Sequence, residues 1–203
     1  MDLLKKYNPW EIVVALLPPF FVADRSWHLL HDDYPSALYQ GVSFVMDLAY
    51  CAILLYSFFC MYLGARQMGR FPKLMLLLLI ALAARHLFSF VPMPEYDILN
   101  PSASYYVFSG ITSLLSLFYM VVMIIAIIRM FKEKLTVLAV TCTCMALAIP
   151  LLSTLAYTLM PISFANEHPH LPMILSQAFF LLMSLCLSVL FLRRNDFYKP
   201  DSE

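Results

Sequence analysis

The stretch Ala23-Asp-Arg-Ser-Trp-His-Leu-Leu-His-Asp-Asp33 decides how this chain folds. It sets Asp24, Arg25, Asp32 and Asp33 beside His28 and His31, directly after the first apolar run. The uncharged part of that run, Ile12 to Ala23, is too short to cross a bilayer, because a spanning helix needs about 20 residues for a ~30 Å hydrocarbon core. The first helix therefore crosses only if it continues to His31, with Asp24, Arg25 and His28 inside it. Otherwise it is re-entrant. We expect the continuous helix, with Asp32-Asp33 opening a solvated connection.

Composition supports a lipid environment. The chain is 62% hydrophobic and 13% charged, against roughly 45–50% and 25% for soluble domains. Too little polar surface remains to cover a soluble globule, so lipid is expected as the solvent for most of the chain. Its apolar residues come in long runs rather than in alternation, which argues against an outer-membrane barrel. The expected fold is one all-α domain over 1–203, a polytopic integral membrane helical bundle.

Six transmembrane helices are expected, at about 10–31, 40–63, 74–92, 104–130, 135–160 and 171–192. Breakers fit these boundaries: Phe71-Pro72, Pro92-Met-Pro94, Asn100-Pro101-Ser102, Met160-Pro161, and Pro169 with Pro172. Pro18-Pro19 and Pro150 fall inside spans, where they imply kinks and freed carbonyls. Lys and Arg mark alternate connections: Lys5-Lys6, then Arg66, Arg70 and Lys73, then Arg129, Lys132 and Lys134, then Arg193, Arg194 and Lys199. By the positive-inside rule, both termini are expected to be cytoplasmic. Lys5-Lys6 before a short apolar run is similar to a secretory signal, yet no small-x-small cleavage site precedes the polar stretch, so an uncleaved helix is expected.

That orientation gives each intramembrane charge a depth. Asp24, Asp47 and Arg85 each lie seven residues from an outer boundary, on the order of 10 Å deep at the helical rise. A charge in hydrocarbon costs several kcal/mol, so Asp24 and Asp47 are expected to neutralise Arg25 and Arg85. His28 lies one turn above Asp24, and His86 adjoins Arg85 about 100° around the helix. Ser113, Thr154 and Gln177 continue a polar layer in the outer half, while the inner halves are aliphatic, aromatic or methionine. A transporter or channel needs polar groups along a whole path. Polarity confined to one half points instead to a pocket with an apolar floor, or to a layer that only fixes helix register.

The chemistry available to such a pocket is limited. His28, His31, His168 and His170, with nearby carboxylates, are candidate metal ligands, but their spacing matches no strong motif. Asp47 with His86 is a candidate acid–base pair, unless pairing with Arg85 makes Asp47 a structural carboxylate. No nucleophile elbow, phosphate loop or haem arrangement is present, so the cofactor is unknown and only a metal is weakly suggested. Cys51, Cys60, Cys142, Cys144 and Cys186 all lie in apolar runs, which disfavours a disulfide framework. Cys142-Thr-Cys144 reads as small-residue helix packing rather than a zinc pair.

Ile149-Pro-Leu-Leu-Ser-Thr154 and the Phe-Leu-Arg-Arg-Asn-Asp-Phe-Tyr-Lys ending resemble short pieces of the emopamil-binding and sigma-2 receptor group. They cover a small part of the chain, and the acidic residue that group carries in its preceding helix has no counterpart in Gly110 to Leu117. No expectation is drawn from them. The leading expectation is a receptor- or accessory-type module that binds a small or lipidic ligand, or a partner membrane protein, from the outer side. The pocket candidates are Asp24, Arg25, His28, Asp47, Arg85, His86, Ser113, Thr154 and Gln177. The alternative is a membrane enzyme acting on a lipid or isoprenoid through His and Asp, with or without a metal. The expected partners are the lipid bilayer, such a ligand, and a partner membrane protein or a second copy. With a net charge of zero, nucleic acid is not expected.

Overall fold

Turn chemistry sets where each helix starts and stops. The computed structural model describes residues 7–30, 37–92, 94, 102–161, 167 and 170–198. Among these, six helices follow one another without a strand. They are α1 Pro9–Leu30, α2 Ala37–Gln67, α3 Pro72–Phe88, α4 Ala103–Lys132, α5 Thr136–Leu159 and α6 Leu171–Arg193. A single 3₁₀ turn, Asp196–Tyr198, follows α6.

Asn8 opens α1, its side chain accepting the Trp10 N–H at 3.2 Å, with Pro9 at the first helical position. Ser102 opens α4 in the same way, accepting the Tyr105 N–H at 3.3 Å. Helix α2 ends in a Schellman turn: the Arg70 N–H reaches the Ala65 carbonyl at 2.9 Å, and Gly69 supplies the required positive φ of 69°. Helix α4 ends likewise, with the Leu135 N–H on the Met130 carbonyl at 2.9 Å, but there Lys134 takes the left-handed position. These tight turns fold α3 back on α2 and α5 back on α4.

Helix α5 changes its winding midway. It is α-helical over Thr136–Thr143, widens to a π turn at Cys144–Ala148, and is α-helical again over Ile149–Leu159. Pro150 has no N–H to give and its ring crowds the preceding turn; the wide turn just ahead of it accommodates both.

Four stretches are long and apolar enough to cross a membrane: Gly41–Gln67, Ala103–Lys132, Thr136–Leu159 and Leu171–Tyr198. That is the character of an integral membrane helical bundle. Helices α1 and α3 are not among them. Helix α1 carries Glu11, Asp24 and Arg25, and α3 has 17 residues, about 25 Å at the helical rise. It stops at Phe88 rather than at 92, because the chain turns at Ser89, whose hydroxyl donates to the His86 carbonyl at 2.6 Å.

Packing is uneven along the bundle. Phe58 and Met61 of α2, Leu78 of α3, Met130 of α4, Leu138 of α5 and Leu190 of α6 are fully or almost fully buried. All lie in the half of their helix nearest the turns that carry Arg70, Lys73, Arg129 and Arg194. In that basic half, α1 meets α6 through small residues: the Ser188 hydroxyl donates to the Ala15 carbonyl, and both residues are buried. Arg194 closes this end by an ion pair with Glu11, and its guanidinium lies 4.3 Å from the Phe191 ring centre. Phe197 is fully buried against Gly64 and Phe71. The opposite half is looser, and apolar side chains such as Leu114, Leu117, Leu151 and Leu159 face outward, where lipid rather than water would meet them.

Candidate ligand pocket

The cavity lies where the close-packed half ends. Its volume is about 390 Å³, and all six helices contribute to its wall. Leu54, Tyr119 and Met145, each nearly buried, belong both to the cavity wall and to the core, and so form its floor. Met120, Phe180 and Met183 add flexible or aromatic apolar surface.

The polar wall comes from the ends of the helices. Arg25 of α1, Asp47 of α2, Arg85 and His86 of α3, Ser116 of α4 and Gln177 of α6 all line the cavity. Arg25 and Asp47 approach to 3.9 Å, each side chain more than half exposed, so this is a loose pair rather than a locked one. Arg85 takes a different partner. Its guanidinium sits 4.9 Å from the ring centre of Tyr119, and among the described residues it forms no ion pair. Ser26 ties the wall together, donating to the Val22 carbonyl at 2.6 Å and meeting the Gln177 side-chain oxygen at 3.2 Å.

Five of the residues singled out in the sequence therefore meet at one space: Arg25, Asp47, Arg85, His86 and Gln177. Asp24, Ser113 and Thr154 do not line it. Ser113 is exposed, and the Thr154 hydroxyl donates to the Pro150 carbonyl at 2.9 Å. The expected two-by-two neutralisation takes a narrower form, with Arg25 on Asp47 and Arg85 on an aromatic ring. Adjacent Arg85 and His86 both reach the cavity because its wall is broad enough to span the angle between them. Of the metal candidates, the side chain of His28, and all of His31 and His168, lie outside the described residues; His170 is exposed just ahead of α6. Among the described residues no three His, Cys, Asp or Glu side chains gather as a metal site would require. The five cysteines are free thiols.

Sequence reading missed Tyr50, Ser116 and Tyr119. A signal for them existed: Asp47, Tyr50 and Leu54 recur at helical spacing on α2, and Ser116, Tyr119 and Met120 do so on α4.

No family model, curated protein or solved structure matches this chain.

Proposed function

We propose that this protein is a multi-pass membrane module whose six helices all cross, with both termini cytoplasmic, and that the cavity binds a small or lipidic ligand from the outer half of the bilayer. One observation carries the reading: charged and polar side chains from α1, α2, α3 and α6 converge on an apolar-floored space that helix packing leaves unfilled. Its volume of about 390 Å³ falls within the range of about 300–1,000 Å³ usual for small-molecule sites. Intramembrane charge is costly, and a ligand that meets it offers a reason for its presence. The alternation of Lys and Arg between successive connections supports the orientation.

The test is co-purification. Protein extracted in its native lipids and examined by native mass spectrometry is expected to retain a bound small molecule or lipid. Ala146→Trp, which places an indole in the cavity, should lose that molecule while its melting temperature stays within a few degrees. An identical bound complement in the two proteins would refute the pocket.

A second reading is favoured by one contact with the same space: Asp47 and His86 both line it, as an acid–base enzyme acting on a lipid or isoprenoid would require. Turnover of a supplied lipid that is lost in His86→Ala, with binding retained, would establish that reading over the first.

A further inference from the structure

The cavity's charge balance is unequal. Its wall holds two guanidiniums, Arg25 and Arg85, against the one carboxylate of Asp47. Asp47 is engaged by Arg25 at 3.9 Å. Arg85 has the Tyr119 ring, 4.9 Å away, and no carboxylate among the described residues. Arg85 is exposed within the bundle itself, and at the depth proposed for it an aromatic face offsets only part of the cost of a guanidinium in hydrocarbon. Cation–π contact is made through the face of the planar group, and among the described residues no acceptor meets the in-plane N–H donors of Arg85. Arg85 lines the cavity, which puts that space within reach of those donors.

We infer that, if the cavity is a ligand pocket as proposed above, its ligand is a single-chain amphiphile with an anionic head, a carboxylate or a phosphate monoester, held by the free edge of Arg85. The planar fork of arginine matches both oxyanions with two parallel charge-assisted bonds, which an alcohol or an ammonium cannot accept. The head completes the neutralisation that Asp47 leaves unfinished. The apolar remainder lies against the Phe180 ring and against Met120, Met145 and Met183, whose unbranched thioethers adapt to a flexible chain. A space of about 390 Å³ sits near the lower end of the small-molecule range of about 300–1,000 Å³, room for one chain rather than a two-tailed phospholipid.

The experiment uses the full chain in nanodiscs, with empty nanodiscs as the blank, and four radiolabelled probes: dodecanoate, dodecyl phosphate, dodecanol and dodecylammonium. Dodecanoate, dodecyl phosphate or both should bind at least about tenfold more tightly than dodecanol, and dodecylammonium least of all. The tighter of the two anions assigns the head. Arg85→Met should remove that preference, Arg85→Lys should keep part of it, and Asp47→Asn should strengthen anion binding by raising the cavity's positive charge. The Asp47→Asn arm decides the matter if Arg85→Met does not fold. Equal binding of dodecanol or dodecylammonium, an anion preference unchanged in a folded Arg85→Met, or, where that variant does not fold, anion affinity unchanged in Asp47→Asn overturns the inference. If Ala146→Trp still abolishes binding of the preferred probe in that case, the pocket itself survives; if it binds every probe as the parent does, the pocket fails too.

Discussion

Arg194 shows how one residue can hold an end of this bundle. Its side chain is 9% exposed, paired with Glu11, and its Nη1 donates to the Phe191 carbonyl at 2.7 Å. The pair joins the start of α1 to the end of α6. Glu11→Gln strands the poorly solvated Arg194 and should cost about 1–3 kcal/mol in detergent unfolding, while Arg194→Met, which leaves the more exposed Glu11, should cost less. The Glu11→Gln/Arg194→Met double variant should cost less than the sum of the two, because neither charge is then stranded. This contact was not legible in the sequence: residues 183 positions apart meet only once α1 and α6 are known to pack antiparallel. The outer charges were more legible. Asp24, Asp47 and Arg85 could be expected at one depth by counting residues, because the helical rise is fixed. Tyr119 was harder to read: its helical spacing with Ser116 and Met120 marks a shared face, but inside an apolar run nothing marks that face as the one α4 turns toward α3.

At the scale of elements, helix ends were readable and helix winding was not. Pro72, Ser102 and Pro172 mark starts that the structure shares to within a few residues, as each acts through local backbone geometry. Pro150 signals that a carbonyl will be freed, but not that the turn at Cys144–Ala148 will widen to absorb it. Gly64 was similarly silent. A Cβ placed there would lie 2.6 Å from Cβ of Phe197, an atom close to the backbone that cannot swing away. Gly64→Ala should therefore lift the Asp196–Tyr198 turn from α2 and destabilise the protein by about 1–3 kcal/mol. The check is a thermal melt paired with carboxypeptidase digestion, in which the variant should lose its C-terminal residues faster than the parent. Unchanged melting and digestion would show that the turn does not depend on this close approach.

The whole molecule divides into a close-packed basic half and an open half that holds the cavity. The sequence pattern anticipated that division, because polar residues cluster toward one set of helix ends while the other ends are rich in leucine, methionine and phenylalanine. That pattern pointed to a pocket or to a layer that only fixes helix register, and it could not give the floor of Leu54, Tyr119 and Met145, which depends on how six helices pack. The proposed topology makes a separate prediction: protease-sensitive tags at the N- and C-termini should be cleaved from the same, cytoplasmic side of sealed vesicles, and cleavage from opposite sides would remove one of the six crossings. The most direct measurement is a density map of the protein purified in its native lipids. The account predicts continuous density in the cavity, its polar end beside Arg85 and its body over Met145 and Met183. A well-resolved cavity holding only solvent, or closed by repacked side chains, would contradict it.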